Sequence, residues 1–291
     1  MLTLVHASGS YPTIPTLCGF LEASLTAAGW SVVSGSGTTT LKMQSASTPE
    51  GLAGMRIETV ALTNTLAVRP MSVDEARKGA DANRMFLRPG GTKTWRIIAN
   101  RYQCFVMVDA SFNAAGEFAM FGTPWIPAFM GGATNSIWYG MCNNTTDANT
   151  SACSSMRIYP AHHYGDSGGS NSVTGYGGDL VQVSTNYLIN SARGTPRIYG
   201  MGGSHRDGGY DSGRLQDLAL TVSETYIAWR LPTAAAAAVI RGQIWNAVVV
   251  NYPLAGDTQF TYDGRLFRVV THNIAVSNTA HPSTLCLQIP G

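Results

Sequence analysis

The residues best suited to chemistry lie in two glycine-rich stretches in the middle of the chain. Ser167 sits in Gly165-Asp166-Ser167-Gly168-Gly169, with His162 and His163 just before it. A serine hydroxyl becomes a nucleophile when an imidazole takes its proton, a third group orients that imidazole, and backbone N–H groups meet the developing oxyanion. His162, His163 and Asp166, with His205, Asp207 and Asp211 from the second stretch, Gly200 to Gly213, also offer imidazole and carboxylate ligands for a metal. A third set is aromatic: Trp125, Trp138, Tyr139, Tyr164, Tyr176 and Tyr210 lie in or beside the loop-rich middle of the chain, which also carries Arg206. Such side chains stack against sugar rings or anchor protein interfaces, and they also cover the ends of β cores.

The run at Gly165 to Gly169 is identical to the nucleophile sequence of chymotrypsin-like serine proteases. In that family the histidine base and buried aspartate arrive earlier in the chain, on separate strands. Here His6 is expected at a frayed N-terminus, and His162 and His163 precede Ser167 by only a few residues. Neither a Thr-Ala-Ala-His-Cys-like histidine nor a matching aspartate setting occurs, so we read the run as a chance match in a biased loop. The His and Asp spacing fits no zinc or calcium signature, and these residues read as polar loop side chains. With no phosphate-cradling loop, dinucleotide fingerprint or carboxylate pair in a glycosidase setting, we assign no catalytic, cofactor-binding or metal-ligating residue. The chain is read as a non-enzyme, and the aromatic set with Arg206 as its interface or ligand contacts.

Positioning elements are clearest near the N-terminus. Ile14, Leu17, Phe20, Leu21, Leu25 and Ala28 recur at steps of three and four, which gathers them on one helical face. Pro15 suits the first turn, Gly29 suits a left-handed stop, and Trp30 is placed to fold back over Leu25. A hairpin of Ser31 to Ser34 and Thr38 to Gln44 follows, with Leu41 and Met43 on one face, and then a strand over Met55 to Leu62. Ser72-Val-Asp-Glu75 has the form of a capping box and predicts a short helix over Val73 to Asn83.

Further on, Trp95 to Ala99, Tyr102 to Val108 and Glu117 to Phe121 read as strands, with a turn at Asn113 to Gly116. Gly131 to Ser155 reads as a long exposed loop. Met156 to Tyr159, Leu180 to Ile189, Arg197 to Gly200, Leu215 to Leu231 and Ile244 to Val250 are strand candidates. Thr233 to Ile240 has alanine propensity for a helical turn or two. The clearest hairpin is Gln259 to Tyr262, Asp263-Gly264, Arg265 to Val270, because Asp-Gly supplies the positive backbone angles of a type I′ turn. These elements predict a mainly β fold, a sandwich or packed antiparallel sheets, with an N-terminal α-helix and long Gly-rich loops.

The order helix, Ala27-Ala28-Gly29-Trp30, polar strand, loop, strand resembles the N-terminal module of structural proteins from tailed bacteriophage virions. The stretch Trp95 to Val108 and the aromatic run Gly122-Thr-Pro-Trp-Ile-Pro127 are similar to segments of the same proteins, so the resemblance covers roughly the first 130 residues. It implies a structural subunit of the tail, baseplate or neck, assembled in a bacterial cytoplasm and resident in the virion, with copies of itself and other virion proteins as partners. The alternative is a receptor- or carbohydrate-binding module at the tail tip that takes host surface glycan, and a serine hydrolase through Ser167 ranks last.

Composition agrees with a subunit. Only 12% of the 291 residues are charged and 32 are glycine, against a usual charged share of about 25% and glycine share of about 7%. A surface poor in charge favours coverage by neighbours. A net charge of +2 leaves no electrostatic footprint for nucleic acid, and Asp74, Glu75 and Asp81 interrupt the densest basic stretch from Arg69 to Arg88. Neither a signal leader nor a membrane-spanning apolar run is expected. Of five cysteines, Cys18 and Cys104 read as small buried hydrophobes, while Cys142 and Cys153 could bridge, though reduced thiols are expected in a cytoplasm. The organisation expected is an N-terminal helix plus β-meander module over 1–130, a loop-rich insertion or β region over 131–214, and a C-terminal β region over 215–291 packed with the first as one body.

Overall fold

A computed structural model describes residues 2–49, 51, 53–75, 85–88, 93–108, 117–125, 138–142, 155–159, 196–200, 222–230, 238–250, 257–271 and 284–291. The described chain is mainly β, in three antiparallel sheets with one helix near the N-terminus.

The helix α1 spans Ile14–Ala27. Thr13 caps its start by accepting the Thr16 N–H on its hydroxyl at 3.3 Å, and Pro15 lies in the first turn, where no backbone donor is needed. At the other end the N–H of Trp30 reaches the Leu25 carbonyl at 2.9 Å and that of Gly29 reaches the Thr26 carbonyl at 3.0 Å, with Gly29 at φ 96°. These are the two bonds of a Schellman stop, and the expected face is buried: Ile14, Leu17, Leu21, Leu25 and Ala28, with Cys18 beside them. Each leucine buried here contributes about 1.5–3 kcal/mol. Trp30 is buried in the same cluster, its Nε1 donates to the Asn100 carbonyl at 2.9 Å, and its ring meets Phe121 edge-on.

A five-stranded sheet runs in the order β2 (Ser31–Ser34), β3 (Lys42–Gln44), β4 (Met55–Leu62), β5 (Thr65–Ser72), β6 (Met85–Leu87). Leu41, Met43, Met55 and Ile57 point inward as alternation requires. On the other side Lys42, Glu58 and Arg69 sit opposite one another across β3, β4 and β5 and form ion pairs at 3.8 and 3.4 Å. The turn tip between β2 and β3 is held to α1 by the Glu22 carboxylate, which accepts from Ser36 Oγ at 2.6 Å and Gly37 N at 2.9 Å.

The central sheet is ordered β1 (Val5–Ser10), β7 (Thr94–Asn100), β8 (Gln103–Val108), β9 (Glu117–Gly122), β10 (Trp138–Cys142), β11 (Ser155–Tyr159). Trp95, Ile97, Ala99, Cys104, Val106, Val108, Ala119 and Phe121 join the helix and the five-stranded sheet in one core. Ile98, Phe105, Met107, Phe118 and Met120 are equally buried on the opposite face. Burial on both faces is why β7 and β8 read as continuous apolar runs rather than alternating ones.

That opposite face meets a third sheet, ordered β12 (Pro196–Gly200), β13 (Val222–Arg230), β14 (Ala238–Val250), β17 (Thr284–Gln288), β16 (Arg265–Thr271), β15 (Gln259–Tyr262). Asp263 and Gly264 take φ 49° and 67°, as the type I′ turn between β15 and β16 demands.

Several expectations are corrected. Residues 73–75 form a turn rather than the start of a helix: Glu75 takes φ 58°, and its carboxylate binds Lys42 at 2.8 Å and Arg56 at 3.1 Å instead of capping Ser72. The competing demand is the end of β5, which carries Ser72 in the sheet. His6 is not frayed but paired within β1 against Ile98. Gly131 to Ser155 is not wholly loop, because β10 adds to the sheet beside β9 and Ser155 opens β11. Residues 238–240 are strand rather than helical turn, since β14 starts at Ala238. The expected turn at Asn113 to Gly116, the strand at Leu180 to Ile189 and residues 76–83, 215–221 and 233–237 lie outside the described residues.

Candidate functional site

The short turn joining β7 to β8 gathers long-range polar contacts from several segments. Asn100 Oδ1 accepts the backbone N–H groups of Tyr102 at 2.8 Å and Gln103 at 3.1 Å, which closes the turn from within. Its outward groups then bind three separate segments. The Asn100 carbonyl takes Trp30 Nε1, the Arg101 carbonyl takes the Ala46 N–H at 3.0 Å, and the Tyr102 carbonyl takes the Thr123 N–H at 2.9 Å.

From the third sheet Trp245 completes this hub. Its ring stacks on Tyr102 at 4.4 Å and 21°, its Nε1 donates to the Thr123 carbonyl at 2.9 Å, and its carbonyl accepts from Gln103 Nε2. Trp125 tilts against its ring at 6.0 Å, and Arg101 lies 5.4 Å from the Tyr102 ring centre. A bulge makes this possible. Between the pairs Glu224–Val248 and Tyr226–Gln243, β14 advances five residues while β13 advances two, and Asn246 within the excess takes φ 52°. Bulges re-aim side chains, and this one directs Trp245 to the central sheet.

A second contact joins the same two sheets through charge. Arg96 of β7 grips the Asp257 carboxylate with both terminal nitrogens, at 2.5 and 3.2 Å, and Arg268 Nε of β16 lies 3.6 Å from the same carboxylate. Arg268 Nη1 also stands 3.0 Å from His6 Nε2 of β1. Arg96 is 11% exposed and Arg268 17%, so these charges are compensated in place rather than by water. Burial lowers the pKa of His6, with Arg268 and then Arg96 acting in the same direction and Asp257 against them.

The thiols at Cys18, Cys104 and Cys286 are reduced and buried, and burial raises all three, Cys286 to about 12 and Cys104 further. A buried protonated thiol is a packing group rather than a nucleophile.

Strand β2 is an exposed edge of the five-stranded sheet. Ser31, Val32, Val33 and Ser34 of β2 are all exposed, and the two valines, at 39% and 40%, are the large exposed hydrophobics among the described residues. Neither charge nor proline protects this edge.

Among the aromatic contacts expected from sequence, Trp125 is half-buried beside Trp245, and Trp138 and Tyr139 lie in the backbone of β10. Tyr164, Tyr176, Arg206 and Tyr210 lie outside the described residues, as do Ser167, His162, His163, Asp166, His205, Asp207, Asp211 and Cys153. Among the described residues no three His, Cys, Asp or Glu side chains gather as a metal would need, and no helix is long and apolar enough to cross a membrane. Sequence reasoning missed Trp245, Tyr102 and the His6, Arg96, Asp257, Arg268 group. The available signal was Asn246 beside Trp245 inside an apolar strand, a polar residue where a regular strand would hold none.

No family model, curated protein or solved structure matches this chain.

Proposed function

We propose that this chain is a structural subunit of a tailed-bacteriophage virion, in the tail, baseplate or neck, working through repeated contacts between copies and with other virion proteins. The observation that carries the reading is the exposed β2 edge, whose Val32 and Val33 are the large exposed hydrophobics among the described residues. The central sheet is covered on both faces and fastened to the third sheet at the Trp245 hub and at Asp257. A scaffold unit needs that rigidity, together with a surface that pairs.

The occupant of the edge is a second copy of this chain. Ser31-Val32-Val33-Ser34 reads the same in both directions, so antiparallel pairing about a two-fold axis sets valine against valine and serine against serine. The bulge between Val32 and Ser34 and the four-residue length keep each such contact small. A weak contact gains strength when many are engaged together, which suits a repeated assembly. A chain with 12% charged residues, about half the usual share, supports the same reading. The test is whether purified particles contain the chain in stoichiometric amount, and where on them an antibody against it binds.

A further inference from the structure

We propose that the contact of β1 with β16 is an acid-released latch, in which protonation of His6 undoes the hold of the N-terminal strand on the C-terminal hairpin. The inference concerns the chain itself and stands whether or not the virion reading does.

The geometry fixes the protonation state that closes the latch. A guanidinium has donors only, so at 3.0 Å the Arg268 Nη1 group donates and His6 Nε2 accepts. That requires a neutral ring with its proton on Nδ1. The groups facing the ring are Arg268 from β16, Arg96 from β7 and Asp257 just before β15. Val5 and Ala7, the neighbours of His6 in β1, pack instead into the core beneath the other face of the sheet. Asp257 already receives two bonds from Arg96 and lies 3.6 Å from Arg268 Nε, so its charge is shared before His6 acquires one. A proton on Nε2 therefore removes the acceptor and sets a third cation against two guanidiniums.

The pH window follows from linkage. Burial and both arginines lower the pKa of the latched ring below its ordinary value of about 6.5. The released ring therefore binds the proton first as pH falls. The contribution of the latch is complete above about pH 6.5 and is lost progressively below it, until the latched ring is itself protonated. Carboxylates ordinarily titrate lower, near pH 4, so the window belongs to imidazole.

The test is hydrogen exchange of the β1, β15 and β16 amides at pH 7.5 and 5.5, corrected for intrinsic rates, in the full chain and in His6→Gln and His6→Phe. Opening in the native chain should increase at pH 5.5 by up to about tenfold, the limit set by the one pH unit between 5.5 and the released ring's pKa of about 6.5. Gln keeps an acceptor for Arg268 but cannot titrate, so its protection should be the same at both pH values. Phe has no acceptor and should be open at both. Equal protection of the native chain at both pH values, or an equal loss in His6→Gln, overturns the proposal. An NMR titration of His6 in the unmodified protein with its midpoint at or above 6.5 overturns it without recourse to any variant.

Discussion

Trp245 is the side chain whose removal should do most to separate the third sheet from the central one. Trp245→Ala deletes the stack on Tyr102 at 4.4 Å, worth about 0.5–1.5 kcal/mol beyond area burial, and the bond to the Thr123 carbonyl, worth about 1 kcal/mol. Complete burial of an indole would bring the cost of truncation to about 3–5 kcal/mol, and the half-buried position of Trp245 reduces it to about 2–3 kcal/mol. Trp245→Phe keeps a ring on Tyr102 but loses the donor, so it should cost about 1 kcal/mol. Urea unfolding followed by far-UV circular dichroism measures both. The stack itself is isolated by a cycle of Trp245→Ala with Tyr102→Ala, whose coupling should be about 1 kcal/mol. A coupling within about 0.3 kcal/mol of zero would show that the rings do not act as a pair and that the hub does not hold the sheets together.

Val33→Lys places a charge on the open β2 edge and should abolish concentration-dependent self-association in sedimentation experiments while leaving the unfolding free energy within about 0.5 kcal/mol of native. Self-association that survives the lysine would remove β2 from the contact. Alkylation at pH 8 of the folded chain should leave Cys104 and Cys286 unmodified for as long as the protein stays folded, because burial holds both thiols protonated. Reaction in the native state at the rate seen in urea would contradict their burial.

How much of this was legible in the sequence depends on the range of the interaction. Helix α1 and the Asp263-Gly264 hairpin are governed by residues within a few positions of each other, and both stand where spacing and turn chemistry put them. Strand β1 was not read from the sequence, since Val5 and Ala7 alternate with polar residues over too short and weakly apolar a run to stand out, and it is held by pairing with β7, some ninety positions on. Strand β5 hides for a related reason. Leu66, Ala67 and Val68 are buried in succession and Pro70 interrupts the run, so period two is absent. The capping pattern at Ser72 misled because the same four residues also suit a turn, and the sheet decides between them. His6 and Arg268 lie 262 positions apart, and no local rule brings them together. The aromatic set named from composition captured Trp125 but not its partner Trp245, which only the bulge in β14 directs to it.

The virion reading is tested most directly by mass spectrometry of purified particles from the source lysate, combined with electron microscopy of particles labelled by an antibody to this chain. The account predicts stoichiometric peptides and label confined to the tail, baseplate or neck. A particle preparation free of the chain, from a lysate that contains it, would contradict the account.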